Sequence, residues 1–141
     1  MKKILFIITV ALIIPMVSIC QVQLDNLLIK LNKLQKENRL MFVGKVQEIY
    51  LNKTNKTIDM DNLTIPLGSY TVNYLNSNEN IDNKYHKKNL DIVSFRCTEG
   101  NCLYRQSTNT YHNGFWIYFK SKKACYDFIN TLDEIKNILI N

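Results

Sequence analysis

The first twenty residues constrain the fold most, because they match a segment that a mature protein does not keep. A lysine pair precedes an apolar run from Ile4 to Val17, and the small residues Ser18 and Cys20 stand just before Gln21. A short positive region, an apolar stretch and small residues before a cleavage position are typical of a secretory signal peptide. The sequence therefore predicts that residues 1–20 are a signal peptide and that the protein is exported, to the periplasm or the extracellular space.

Three alternatives for this segment remain open. A membrane anchor would need about 20 apolar residues to cross a bilayer, whereas the unbroken apolar run here is shorter and has Pro15 near its end. Acylation of Cys20 would give a lipid anchor, but lipoprotein signals carry a small residue where Ile19 stands. A buried core helix would leave the lysine pair unexplained. No stable membrane span is expected after cleavage.

Cleavage would leave 121 of the 141 residues, with 16 of the 18 Lys and Arg against 12 Asp and Glu, a formal charge of +4. A chain of this size can bury one hydrophobic core, so one domain is expected. Arginine, which phosphate and base recognition favour, occurs only at Arg39, Arg96 and Arg105. Nucleic acid is therefore not an expected partner.

An odd number of cysteines follows the predicted cleavage site. Cys97 and Cys102 bracket the segment Thr98-Glu99-Gly100-Asn101, whose glycine and asparagine predict a hairpin turn. Residues that face each other across a hairpin lie close enough for a disulfide after a small adjustment. A Cys97–Cys102 disulfide is the first interpretation, and two reduced thiols are the alternative. A zinc site lacks a second ligand pair, and no metal is predicted.

Two helices are predicted from apolar residues that recur every three or four positions. The carboxy-terminal helix starts after the N-cap residue Ser121. Its apolar stripe comprises Cys125, Phe128, Leu132, Ile135 and Leu139. Cys125 is interpreted as a core residue on this stripe and not as a nucleophile. The amino-terminal helix, within residues 21–40, carries Leu24, Leu27, Leu28, Leu31 and Leu34.

The chain between the helices shows strand patterns separated by turn residues. Strands are predicted at Met41–Leu51, Lys56–Met60, Leu63–Leu67, Tyr70–Tyr74, Leu90–Cys97, Cys102–Gln106 and Gly114–Lys120. The Asp61-Asn62 turn is predicted between the second and third of these, and a polar loop separates the fourth and fifth. The predicted fold class is α+β: a small antiparallel β-barrel or sandwich of about seven strands, residues 41–141, with a capping helix at its end and an extra helix before it.

The last part of this pattern resembles a known family. Val93-Ser94-Phe95-Arg96-Cys97, then Gly114-Phe115-Trp116-Ile117-Tyr118-Phe119, then the helix from Ser121 to Ile140 are similar to the end of a pleckstrin-homology-like domain. In that family the final hairpin leads into an amphipathic helix that plugs the barrel. Many members bind inositol phospholipids through Lys and Arg of the first hairpin. Here that hairpin offers only Lys53 and Lys56, so the resemblance implies the fold and not the lipid binding.

Few residues suggest catalysis. The four glycines are far apart, which excludes a phosphate-binding loop and a dinucleotide fingerprint, and no cofactor is predicted. His86 and His112 stand in polar surroundings without a partner at helical spacing. A small hydrolase that pairs one of them with Asp91 or Glu99 is kept as the alternative function.

Two groups of residues are candidate binding sites. The basic loop contributes Lys84, Tyr85, Lys87 and Lys88, and the outward side of the last strand contributes Trp116, Tyr118 and Lys120. A basic loop with an aromatic residue can contact an acidic glycan or a lipid headgroup, and exposed aromatic residues suit sugars or a protein partner. The simpler interpretations are a solvated loop and, if the amino-terminal helix covers the strand, a second small core. The predicted function is a non-enzymatic exported binding module that contacts a protein or an anionic glycan or lipid surface.

Overall fold

The α+β class predicted from the sequence is confirmed. The computed structural model describes residues 2–40, 46–76 and 90–140, with side chains from residue 19 onward. Its helices are α1 (Lys2–Asn38) and α2 (Lys122–Ile140). Its strands are β1 (Arg39–Leu40), β2 (Tyr50–Asn52), β3 (Thr57–Met60), β4 (Leu63–Pro66), β5 (Tyr70–Asn76), β6 (Asp91–Cys97), β7 (Leu103–Arg105), β8 (Thr110–His112) and β9 (Gly114–Phe119). The short strands β1 and β8 were not predicted.

The strands form two antiparallel sheets. The four-stranded sheet has the order β1-β9-β6-β5, and the five-stranded sheet has the order β2-β3-β4-β7-β8. Within the described ranges no strand pairing joins the two sheets. The barrel alternative was therefore wrong, because each sheet ends on its own edge strands.

One hydrophobic core connects both sheets and both helices. Helix α2 begins as predicted, since the Ala124 N–H donates to the Ser121 hydroxyl oxygen at 3.2 Å. Its predicted stripe is buried at Cys125, Phe128, Leu132 and Ile135. The Phe128 ring lies 5.2 Å from the Phe119 ring of β9, so α2 packs on the inner side of the four-stranded sheet.

Helix α1 is continuous from Lys2 to Asn38 and so runs through the predicted cleavage position. Its leucines at 24, 27 and 31 are buried in the core, as the helical spacing predicted. In the part of the chain that the structure describes, neither helix combines the length and apolarity needed to cross a membrane. Export remains a prediction.

The strand predicted from Met41 to Leu51 is present only at its end, where Tyr50 and Leu51 lie in β2. Residues 41–45 lie outside the described residues, and 46–49 are irregular up to the start of β2. The Asn32 side-chain amide of α1 donates to the Ile49 carbonyl at 3.0 Å and accepts from the Ile49 N–H at 2.7 Å. The buried Gln35 amide donates to the Gln47 carbonyl. Side chains of α1 thus take the place of a neighbouring strand.

The Cys97–Cys102 disulfide is present, but the predicted hairpin around it was wrong. The sulfur atoms lie 2.12 Å apart and the Cα atoms 5.6 Å apart. Cys97 ends β6 of the four-stranded sheet, whereas β7 belongs to the five-stranded sheet. The Thr98 N–H donates to the Ser69 carbonyl at 2.9 Å instead of pairing across a hairpin. The disulfide therefore closes the segment in which the chain crosses from one sheet to the other.

Candidate binding surface

The structure describes one of the two predicted groups of binding residues. Lys84, Tyr85, Lys87 and Lys88 lie outside the described residues. On β9 the predicted alternation is observed: Ile117 and Phe119 are buried in the core, while Trp116 on the other side is 38 % exposed.

The outer side of the four-stranded sheet is buried at two residues of β6, while Asn73 of β5 on the same side is exposed. Ile92, which pairs with Tyr118, is 0 % exposed, and Ser94, which pairs with Trp116, is 3 % exposed. Burial also raises the pKa of the Tyr118 hydroxyl. The four residues lie on the side of the sheet away from α2, so this face combines buried and exposed side chains.

Lys120 has a structural contact. Its Nζ donates to the Glu37 carbonyl at 2.6 Å, and its N–H donates to the Asn38 carbonyl at 2.8 Å. These carbonyls belong to the last turn of α1, where a cation satisfies unpaired acceptors and opposes the helix dipole. Lys120 therefore has a structural role at the end of α1, while its side chain and that of Trp116 are exposed.

The outer side of the five-stranded sheet has a row of tyrosines. The register places Tyr50 opposite Asp59, Asp59 opposite Thr64, Thr64 opposite Tyr104, and Tyr104 opposite Tyr111. Tyr50 is 60 % exposed and Tyr111 is 62 % exposed. Because paired residues point to the same side of a sheet, these five side chains form one cross-strand row. We call this row the tyrosine face.

Contacts within the tyrosine face fix two of its rings. The Tyr104 and Tyr111 ring centroids lie 5.2 Å apart at an interplanar angle of 49°. The Tyr104 hydroxyl donates to the Asn109 side-chain oxygen at 2.9 Å. Asn109 has φ 53°, a left-handed conformation that asparagine tolerates, and it ends the turn before β8. The turn thus supports the aromatic pair.

Polar groups occupy the middle of the row. The Thr64 hydroxyl donates to the Asp59 carboxylate at 2.5 Å and accepts from the Gln106 amide at 3.1 Å. An ionised carboxylate has about four lone-pair positions, so Asp59 can accept further hydrogen bonds. The centre of the row is therefore hydrophilic and mainly accepting.

An open cleft of about 500 Å³ lies beside the Tyr50 end of the row. Its lining includes Glu48, Tyr50, Asp59, Asn62 and Gln106. The Tyr50 hydroxyl donates to the Glu48 carboxylate at 3.1 Å, and this hydrogen bond raises the pKa of Tyr50. The cleft joins one aromatic ring to carboxylate and amide groups.

One further carboxylate of the cleft, that of Asp61, is already paired. Arg39 donates to it from β1, so the ion pair connects the four-stranded sheet to the β3–β4 turn. Asp61 and Asn62 have φ 54° and 62°, as a two-residue hairpin turn requires. The predicted turn at these residues is confirmed.

Two described residues of the alternative hydrolase, His112 and Asp91, have other hydrogen-bond partners. The His112 Nε2 lies 3.0 Å from the Thr110 hydroxyl, and Asp91 accepts from the Tyr74 hydroxyl at 2.8 Å. Among the described residues no ion pair joins His112 to an acid, and no group of three or more His, Cys, Asp or Glu could hold a metal. His86 lies outside the described residues.

Comparison of the chain with protein-family models, with curated proteins and with solved structures finds no match.

Sequence reasoning missed the tyrosine face for a physical reason. Tyr50 stands between Ile49 and Leu51, and Tyr104 follows Leu103, which indicates an outward position for each tyrosine. Tyr111 lies in β8, a strand that was not predicted. Only the register across all five strands aligns the three rings, and register depends on pairing partners far apart in sequence.

Proposed function

We propose that this protein is an exported, non-enzymatic binding module that holds its ligand on the tyrosine face. The observation that carries the proposal is the cross-strand row with Tyr50 and Tyr111 more than half exposed. Exposed aromatic side chains that are aligned and supported by contacts are typical of recognition surfaces. Tyrosine offers a large rigid contact area together with a hydroxyl.

Export and the family resemblance belong to the same proposal. The disulfide supports export, because such bonds persist in oxidising compartments. The two sheets, which share one core with α2, support a sandwich similar to a pleckstrin-homology-like domain, in which the last strand leads directly into the plugging helix. Lys53 of the first hairpin lies 3.2 Å from Asp25 of α1, which favours a structural role over phospholipid binding.

The charge of the described surface bears on the ligand. An anionic glycan or lipid headgroup would depend on the basic loop with Lys84, Tyr85, Lys87 and Lys88. At the tyrosine face such a ligand would meet the carboxylates of Glu48 and Asp59, which repel it. We therefore place the binding function on the tyrosine face and favour a ligand without net negative charge.

A co-sedimentation assay tests the proposal. The purified protein is incubated with an insoluble envelope fraction of its own source, and the bound fraction is measured over a concentration series. Truncating an interface tyrosine weakens binding by about 1–2 kcal/mol or more, so we expect Tyr50→Ala with Tyr111→Ala to weaken retention at least about tenfold. The control is Tyr126→Ala, which removes a tyrosine that is 44 % exposed on α2.

Two results would overturn the proposal. One is unchanged retention of the Tyr50→Ala, Tyr111→Ala protein when its urea unfolding midpoint matches that of the wild type. The other is turnover of a model ester or glycoside that His112→Ala abolishes, since that outcome identifies a hydrolase.

A further inference from the structure

We infer that the ligand of the tyrosine face is an uncharged glycan chain that lies across the strands. This inference rests on the proposed binding function and names the chemical class of its ligand. A sugar ring has an apolar face of C–H groups and a rim of hydroxyl groups. The tyrosine face offers the matching pair of features, aromatic rings and hydrogen-bonding groups, in one row.

The spacing of the rings requires an extended ligand. Neighbouring strands lie about 4.8 Å apart, so Tyr50 and Tyr104, separated by three strand intervals, are about 14 Å apart, and the row to Tyr111 spans about 19 Å. A single sugar cannot reach both ends of such a row. A chain of several sugars that runs perpendicular to the strands can contact each ring in turn.

The groups between the rings suit hydroxyls. Asp59 can accept further hydrogen bonds, the Thr64 hydroxyl keeps one acceptor position after donating its proton to Asp59, and the Gln106 amide can donate and accept. The Thr64 hydroxyl oxygen lies 2.5 Å from the Asp59 carboxylate and 3.1 Å from the Gln106 amide nitrogen. These hydrogen bonds hold the three side chains in position before a ligand binds. At the Tyr50 end the cleft of about 500 Å³ adds Glu48 and Asn62.

The same groups disfavour the other ligand classes. The carboxylates of Glu48 and Asp59 repel polyanions. Peptides are commonly bound at a sheet edge, in an apolar groove or in a continuous aromatic groove. The tyrosine face is the flat side of a sheet, and Asp59 and Thr64 interrupt its aromatic rings. A glycan chain likewise alternates apolar C–H faces with hydroxyl groups.

The rings of Tyr104 and Tyr111 are also preorganised for stacking on a ligand. The Tyr104 hydroxyl is held by Asn109 and its ring by Tyr111, so little side-chain freedom is lost when a ligand binds. Tyr111, the more exposed ring of the pair, is then the strongest single contact.

Affinity electrophoresis in native gels tests the inference with defined probes. The gels contain hydroxyethyl cellulose, soluble starch or dextran as uncharged polysaccharides and polygalacturonate as an anionic one. We expect at least one uncharged polysaccharide to retard the wild type, and Tyr111→Ala to weaken this retardation about tenfold or more. The controls Tyr126→Ala and Trp116→Ala should be retarded like the wild type.

The outcomes separate this inference from the proposed function. Retention on the envelope fraction that depends on Tyr50 and Tyr111, with no retardation by any uncharged polysaccharide, overturns the glycan and leaves the binding function standing. Retardation by polygalacturonate alone also overturns the uncharged glycan. If the wild type shows neither retention on the envelope fraction nor retardation in any gel, both the binding function and the glycan are overturned. Binding of a Lys-rich peptide that Tyr111→Ala abolishes would assign the face to a cationic protein and reject the glycan.

Discussion

The outer sides of the two sheets look alike in sequence and differ in the folded protein. Each carries aromatic residues at outward positions of its strands, Trp116 and Tyr118 on one and three tyrosines on the other. On the four-stranded sheet the neighbour Ile92 is fully buried and Trp116 is 38 % exposed, whereas Tyr111 on the five-stranded sheet is 62 % exposed. An outward aromatic residue is therefore a better candidate for binding where its own ring is more exposed.

The largest expected effect separates the two outer faces by stability. Ile92→Ala removes a fully buried side chain, and we expect it to lower the free energy of unfolding by about 2–5 kcal/mol. Tyr111→Ala removes an exposed side chain and should lower it by less than about 1 kcal/mol. Urea unfolding of both variants measures the difference. Similar losses for the two substitutions would show that the faces are not distinct.

The crossover that joins the two sheets provides the next test. Replacing Cys97 and Cys102 by serine removes a short loop closure, and we expect a loss of about 2 kcal/mol. Reduction of the wild type should produce the same loss, and reductant should leave the double variant unchanged. Equal unfolding midpoints for reduced and oxidised wild type would mean that the bridge does not stabilise the crossover.

A pair of hydroxyl deletions contrasts the core with the tyrosine face. The Tyr70 hydroxyl is buried without a hydrogen-bond partner in the described parts of the chain, whereas Tyr111 is exposed. An unsatisfied buried polar group is unfavourable by about 1–3 kcal/mol, so Tyr70→Phe should raise the free energy of unfolding by about 1 kcal/mol. Tyr111→Phe should leave it unchanged. A loss of stability in Tyr70→Phe would reveal a partner for this hydroxyl.

A pH titration tests the inner side of the four-stranded sheet. Burial, followed by the charge of Asp91, raises the pKa of the Cys125 thiol from 9.0 to about 12. Between these values the unfolded chain releases the proton and the folded chain keeps it, so stability falls as the pH rises through that interval.

Thiol labelling measures the burial of Cys125. A maleimide should leave this residue unlabelled in the native protein at pH 8 and label it in urea. Rapid labelling of native Cys125 would contradict its place in the core and with it the packing of α2 on this sheet.

Much of the fold follows from local patterns. The stripe of α2 fixes its buried side, the Asp61-Asn62 pair specifies a hairpin turn, and the alternation in β9 separates Trp116 from Ile117. Each of these features depends on residues close together in the chain. Their physical causes are visible in the sequence itself: the helical periodicity, the left-handed turn residues and the strand repeat of two.

The parts that could not be predicted depend on distant partners. Asn32 and Gln35 of α1 bind the backbone of residues 47 and 49, and no periodicity indicates that an amide side chain will replace a strand. The glycine-containing turn after Cys97 is compatible with a hairpin and with a crossover, and the pairing of the flanking strands decides between them. The tyrosine face was missed for the same reason.

Chemical-shift mapping locates the ligand on one of the two outer faces, because the protein contains one tryptophan and therefore one indole N–H reporter on the four-stranded sheet. The isotope-labelled protein is titrated with a fragment of the uncharged polysaccharide that retards it most. We predict that the largest shifts map to Tyr50, Tyr104 and Tyr111 and that the Trp116 indole signal stays in place. Shifts centred on Trp116 and Tyr118, with the tyrosine face unchanged, would contradict the account.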